Sequence, residues 1–329
     1  MAELSKVGLK KEHVHVFAPA TVANVGCGFD VFGFALHQPG DELLLRVTDT
    51  PGIQIDEITG LVTDLPRQVE QNTAGKALLS FYRHLKPDFG LSLSLRKNMP
   101  VGSGLGSSAA SAVAAVFAFN AMLERPLDRR NLLKYAIAGE RITSGDSVHL
   151  DNIAACLWGG MILVRSKDPI DIVELPVPDD LFSTIVHPRI EIRTRESRQI
   201  LKKDIRLDDA VTQWGNIAGF VAAMFRKDYR LLAKTMQDVV AEPTRSILIP
   251  HFAEMKARAL ENGALGFGIS GSGPSVFALS AGEETAVNVG DAISEFLKRA
   301  DIGHDLYISS INSEGPKILS ADTSGIHDG

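Results

Sequence analysis

The sequence predicts an α+β fold in two domains, and three observations carry that expectation. The chain has 329 residues, 45% hydrophobic and 22% charged, more than a single core of about 250–300 residues usually serves. Strand signals and helix signals are both numerous and follow one another irregularly, unlike the strict βαβα alternation of a doubly wound sheet. Near the middle of the first half, a strand runs through a glycine loop straight into an apolar helix.

Taken in order, His15 to Phe17 and Leu43 to Val47 are short aliphatic runs bounded by Pro, Gly and Asp, and read as strands. Asn72 to Leu85 has helical spacing and closes before Pro87. Leu91, Leu93 and Leu95 alternate with Ser92 and Ser94, the period of a half-buried strand. Ala109 to Leu123 is Ala-rich and apolar all round, which fits only a buried helix. A helix from Arg129 to about Ile142 and a strand from Met161 to Arg165 follow. The Pro-rich stretch from Pro169 to Pro178 marks the expected boundary, giving domains of residues 14–168 and 169–329.

Beyond it, strands are expected at Ser183–Val186 and Glu191–Thr194, and helices between Arg198 and Asn262. Ala264–Ile269 and Val276–Leu279 read as strands flanking a glycine turn, then a helix near Glu283–Ala300 and a last strand at Leu306–Ser309.

A net charge of −6, with no block of like charges, argues against nucleic acid or an anionic membrane as partner. The first residues lack an apolar segment for export, and the longest apolar stretch is too short to span a bilayer. Cys27 and Cys156 have no metal-ligand spacing and read as reduced, structural thiols. A cytoplasmic protein with a small-molecule partner is the expectation.

The segment Pro100-Val-Gly-Ser-Gly-Leu-Gly-Ser-Ser108 offers more than a turn. Gly102, Gly104 and Gly106 let the backbone approach a ligand, and Ser107 and Ser108 stand where a helix N-terminus has unpaired amides. Such a terminus attracts phosphate. Lys97 could add a positive charge at the loop's mouth. The spacing matches neither a Walker loop nor the G-x-G-x-x-G of dinucleotide-binding folds.

These residues, continued through Ser111, resemble the phosphate-binding motif of the GHMP kinases. Ala18-Pro-Ala-Thr-Val-Ala-Asn-Val-Gly-Cys-Gly-Phe-Asp30 is similar to that family's first motif, and Gly268-Ile-Ser-Gly-Ser-Gly-Pro-Ser275 to its third. Asn24 with Asp30, His149-Leu-Asp-Asn152, Thr194 to Arg198 and Ala241 to Arg245 resemble the homoserine kinase branch in particular.

The resemblance implies an N-terminal domain like ribosomal protein S5, with a left-handed βαβ unit, and a ferredoxin-like C-terminal domain. It further implies phosphoryl transfer from ATP to the side-chain hydroxyl of L-homoserine, with Mg2+, in a cytoplasmic homodimer of threonine biosynthesis. ATP would be held by Asn72, Lys97, Pro100, Gly102, Ser103, Gly104, Leu105, Gly106, Ser107 and Ser108, and Mg2+ by Ser108 and Glu140. Asn24, Asp30, His149, Asn152, Thr194, Arg198, Arg245 and Gly271 would hold the substrate.

Chemistry agrees with that set. Homoserine is a zwitterion, so Asp30 suits its ammonium, and the guanidinium forks of Arg198 and Arg245 suit its carboxylate. The resemblance makes Asn152, Lys97 and Glu140 the expected catalytic residues, for a phosphoryl transfer that is mostly positioning and charge neutralisation. Asp151 beside them could accept a proton, so the identity of any base stays open. The stretch from Gly145 to His149 is one residue longer than the family pattern.

Overall fold

The computed structural model describes residues 7–145, 148–190, 192 and 194–323. Its first sheet has seven strands: β1 (Lys11–Ala23), β2 (Phe32–Thr48), β3 (Gly52–Gly60), β4 (Gly90–Lys97), β5 (Met161–Lys167), β6 (Ile170–Leu175) and β11 (Lys317–Thr323). The order is β11-β1-β2-β4-β3, with β5 continuing from β2 and β6 from β5. All neighbours are antiparallel except β3 and β4, which are joined through α1 (Thr73–Leu85) in a βαβ unit.

On this sheet pack α2 (Ser107–Met122) and α4 (Leu150–Trp158), while α1 and α3 (Arg129–Ser144) pack against α2. The all-apolar character of α2 has its reason here, because sheet and helices together enclose it on every side and thirteen of its sixteen residues are buried.

The second sheet holds β7 (Leu181–Pro188), β8 (Gly266–Ile269), β9 (Val276–Ala281) and β10 (His304–Ser310) in the order β10-β7-β9-β8, antiparallel throughout. Between β7 and β8 run α5 (Thr194–Gln199), α6 (Leu207–Arg226), α7 (Tyr229–Thr235), α8 (Glu242–Arg245) and α9 (Phe252–Glu261). With α10 (Glu283–Arg299) between β9 and β10, this is the spatial order of a ferredoxin-like βαββαβ unit. A second core joins β8 and β9 to α9 and α10 through Phe252, Met255, Phe267, Val289 and Ile293.

Several expectations need correction. β6 lies past residue 168 yet pairs with β5, and β11 returns from the chain's end to pair with β1, so sheet membership does not divide at residue 168. β3 escaped notice because a register shift between Ile55 and Glu57 breaks its alternation, and β6 and β11 are edge strands with little burial to impose a pattern. Leu306–Ser309 is therefore not the last strand. Of the strand expected at 191–194, Glu191 and Arg193 lie outside the described residues, and Thr194 instead opens a helix. α4 was not foreseen. It is buried on all sides, which removes the amphipathic period.

Candidate active site

Two other segments, β1 and the 270–275 turn, meet the glycine loop. The Thr21 amide of β1 donates to Leu105 O at 3.0 Å, and the Ser275 amide to Ser103 O at 3.2 Å. Ser270 Oγ donates to Gly104 O at 2.7 Å. Gly104 and Gly106 both have positive φ, and a Cβ would sit 2.4 Å from Ser270 O at the first and 2.1 Å from Thr21 Oγ1 at the second. No other residue fits either place. Gly106 is the N-cap of α2 and supplies no capping side chain, so the helix presents its first amides and positive dipole end to the loop. Ser107 therefore does not cap. Its hydroxyl reaches back to Met99 O at 3.5 Å.

Lys97 is not at the loop's mouth. Only 2% exposed, its ammonium forms an ion pair with the buried Asp41 and donates to Ser107 O at 3.0 Å and Ser111 Oγ at 2.8 Å. The other Asp41 oxygen accepts from the Asn98 amide at 2.9 Å. Lys97 thus ties the first turn of α2 to β2 from beneath. Asn72 likewise works locally, as the N-cap of α1, accepting from the Gly75 amide at 3.1 Å and donating to Pro66 O at 2.9 Å.

Glu140 projects from α3 and is 3% exposed. One of its carboxylate oxygens lies 3.5 Å from His149 Nδ1, and the other, Oε2, is buried without a partner among the described residues. An unpaired buried carboxylate oxygen is costly, and it suits a cation. Burial opposes charge on His149, but the Glu140 hydrogen bond and the charges of Asp151, Glu140 and Asp30 outweigh it and raise its pKa.

Charged groups crowd the other end. Asp30, at a positive φ of 57°, accepts from Arg198 Nη2 at 2.9 Å and lies 3.3 Å from Lys167 Nζ. Burial disfavours its charge, yet Lys167 and Arg198 prevail and hold the carboxyl below its ordinary range. Asn24 braces this corner by accepting from the Asp30 amide at 3.1 Å and donating to Gly271 O at 2.7 Å. Arg245 is 5% exposed; it donates to Gly271 O at 2.9 Å and Ser197 O at 3.3 Å, with its guanidinium 5.0 Å from the Phe29 ring. Burial lowers its pKa, against the pull of Asp30. Asn152 Oδ1 accepts from Thr21 Oγ1 at 2.7 Å, which leaves its amide hydrogens for the cavity. Burial first, and then the charge of Asp30, push the neighbouring Asp151 carboxyl up to about 6.

One cavity of about 540 Å³ joins both ends. Its lining takes in Asn72, Lys97, Gly102, Ser103, Gly104, Gly106, Ser107, Ser108 and Glu140, and also Asn24, Asp30, His149, Asn152, Arg198, Arg245 and Gly271. Pro100 and Leu105 are not in that lining, and Leu105 is a core residue. The Thr194 side chain lies outside the described ones, as do Asp146 and Ser147 in the lengthened stretch before His149. Sequence reasoning missed Thr21, Asp41, Ser111, Lys167 and Ser197. Thr21, Ser111 and Ser197 stood inside quoted motifs, while nothing local marked Asp41 or Lys167.

Comparison with known proteins places the chain in a family. Residues 72–160 match the model of the GHMP kinases N terminal domain and residues 220–299 that of the GHMP kinases C terminal domain. The chain is 42% identical to a homoserine kinase of Chlorobium phaeobacteroides (strain BS1), covering 92% of this chain and 98% of that one. It is 44% identical to one of Chlorobaculum tepidum, covering 92% and 97%. A crystal structure of homoserine kinase from Cytophaga hutchinsonii superposes with a TM-score of 0.91 at 50% identity, covering 94% and 98%. A crystal structure of L. major mevalonate kinase in complex with R-mevalonate gives a TM-score of 0.69 at 19% identity, over 93% of this chain and 99% of that one, a likeness of fold alone.

Proposed function

Because the chain belongs to the homoserine kinases of the GHMP kinase family, we propose that the continuous cavity lined by the glycine loop and Asp30 holds ATP at the loop and L-homoserine at the Asp30 corner. The reaction is phosphorylation of the L-homoserine side-chain hydroxyl by ATP, giving O-phospho-L-homoserine and ADP in threonine biosynthesis.

The observation that carries the site reading is the pairing of opposite tools in one cavity. An uncapped helix N-terminus faces it from one side, and one carboxylate with two guanidiniums faces it from the other. The first is complementary to phosphate oxygens. The second set matches an amino acid, with Asp30 taking the α-ammonium and Arg198 and Arg245 the carboxylate. Asn24, His149, Thr194 and the Gly271 backbone complete the substrate wall in this reading.

Glu140 and Ser108 fit Mg2+, a hard cation that takes one or two protein oxygens beside phosphates and water. The partnerless Oε2 of Glu140, lining the same cavity as Ser108, supports the assignment. Bound there, Mg2+ would neutralise charge on the ATP phosphates. Within the chain itself, loop amides and the α2 terminus fix the phosphates, and Lys97 and Asp41 hold that terminus rigid from below. Asn152, turned by Thr21, directs its amide toward the oxygens between which the phosphoryl group moves. Catalysis is then positioning and electrostatic stabilisation.

Among the described residues no helix is long and apolar enough to cross a membrane, and a cytoplasmic location accords with two free, buried cysteines.

ADP release with MgATP, compared across L-homoserine, mevalonate, galactose and L-threonine, tests the reading. Selective turnover of L-homoserine supports it. Activity only on an alcohol without an α-ammonium would keep the phosphate end and discard the roles of Asp30, Arg198 and Arg245.

A further inference from the structure

Arg245 reaches the cavity from α8, a single helical turn preceded by the irregular stretch 236–241. So short a helix cannot hold its own place. Its N-cap, Ala241, has no side-chain oxygen to offer the first amides, and Asp238 takes that part instead. One oxygen of its carboxylate accepts from the Val240 amide at 2.8 Å and the Ala241 amide at 2.9 Å, and the other from the Glu242 amide at 2.9 Å. Consecutive amides thus share one anion, and charge-assisted bonds of this kind are stronger than neutral ones.

The same carboxylate is tied to the opposite wall. Gln213, on the buried face of α6, donates from Nε2 to Cys27 O at 2.6 Å and to Asp238 Oδ1 at 3.1 Å, while its Oε1 accepts from the Val239 amide at 3.0 Å. Both hydrogens of its amide are used. Cys27 lies in the loop after β1 that carries Asp30, and Asp238 in the stretch that leads into α8. Gln213 is therefore a strut between the two segments that present Asp30 and Arg245.

Electrostatics point the same way. Asp238 and Arg245 line one small cavity of about 10 Å³, together with Asn24 and Gly271. Burial opposes the charge of Arg245, Asp30 supports it, and Asp238 adds to that support. The two carboxylates differ in their commitments. Asp30 is the one a substrate ammonium would engage, whereas Asp238 is bound to backbone amides and keeps its place when a ligand enters. A buried guanidinium needs such a lasting counter-charge.

We propose that Asp238, braced by Gln213, is a positioning residue for the substrate, fixing Arg245 and its spacing from Asp30 without touching the ligand, given the reading that Arg245 takes the homoserine carboxylate. Steady-state ADP release by the full chain tests this, with L-homoserine and ATP varied separately for wild type, Asp238→Asn, Arg245→Ala and the double variant. Asp238→Asn keeps the size of the side chain, removes its charge and turns an N–H group toward an amide. The homoserine KM should rise about tenfold, with kcat and the ATP KM within about twofold of wild type. In the Arg245→Ala background the same change should add less than about twofold, because the group it positions is already gone. A merely structural defect would instead lower kcat through a smaller folded fraction, and would do so in both backgrounds. Gln213→Met keeps the length of the strut without its hydrogen bonds and should raise the homoserine KM about fivefold; it decides the matter if circular dichroism shows Asp238→Asn unfolded. An unchanged homoserine KM in Arg245→Ala would overturn the placing of the carboxylate and the proposal with it. A raised KM there, beside an unchanged one in Asp238→Asn or an undiminished tenfold effect in the double variant, would overturn the proposal alone.

Discussion

The two ends of the cavity are built by different means. At the end proposed for the phosphates the wall is mostly backbone: glycines at positive φ, helix amides, and carbonyls of the loop bonded to β1 and the 270–275 turn. Here side chains such as Lys97 and Asp41 serve from beneath. At the end proposed for the substrate the cavity is lined by charged side chains drawn from the loop after β1 (Asp30), the start of α4 (His149, Asp151), and α5 and α8 (Arg198, Arg245). Such groups pair with one another when alone, as Asp30 does with Arg198. A backbone site recognises phosphate in any nucleotide; a side-chain site selects one acceptor. The phosphate end is therefore intolerant of any added atom, and the substrate end is tunable.

Glu140→Gln should give the largest loss, because it removes charge from a buried carboxylate oxygen that has no partner among the described residues and lies between the two ends. Expected is a fall of about 10³-fold in kcat and a magnesium requirement displaced to higher concentration, with the homoserine KM nearly unchanged. Steady-state ADP release across a magnesium titration reads both, and an unaltered magnesium profile removes Glu140 from the ligand set. Gly106→Ala comes next. Its Cβ would collide with Thr21 Oγ1 and press on Asn152 Oδ1, 2.9 Å away, displacing loop and amide together. A loss of about 100-fold in kcat/KM for ATP follows, and wild-type kinetics would show that the loop is softer than its hydrogen bonds imply.

The same contrast decides what the sequence could reveal. A backbone site needs consecutive small residues, so the Gly102–Ser108 run announced itself and its place between strand and helix. Asp30, His149, Arg198 and Arg245 are isolated residues that any surface could carry, and only the family resemblance assembled them. Lys97 illustrates an error of a third kind. Its charge was legible, but its direction was not, because Asp41, 56 positions earlier, gives no local sign that it waits beneath the loop. Edge strands β6 and β11 were lost for want of burial, and the all-buried α4 for want of a polar face.

Arg245→Ala and Arg198→Ala probe the substrate end on its own. Each should raise the KM for homoserine by about 50-fold and leave the KM for ATP within about twofold, as expected for loss of a charge-assisted contact. Arg245 should be the more damaging, since it is nearly buried and bonded to Gly271 and Ser197, whereas Arg198 is one-third exposed. Equal effects on both substrates would mean that the two ends are one coupled unit rather than two independent ones.

Asp151 offers the smallest effect and the sharpest sign. Its carboxyl is raised to about 6, first by burial and then by the charge of Asp30, while in the unfolded chain it titrates near its ordinary value. Between those two values the folded protein binds the proton more tightly than the unfolded one, so stability falls as pH rises through that window. Above pH 6 the native state carries a buried charge that costs stability. Asp151→Asn removes that charge while keeping the shape. Its melting temperature should therefore exceed wild type at pH 7.5 and converge with it as pH falls through 5 toward 4. A destabilised variant at pH 7.5 would mean that the carboxylate is held by its contacts to His149 and the Asn152 amide more firmly than burial opposes it. Substrate-site charge would then strengthen the fold rather than strain it.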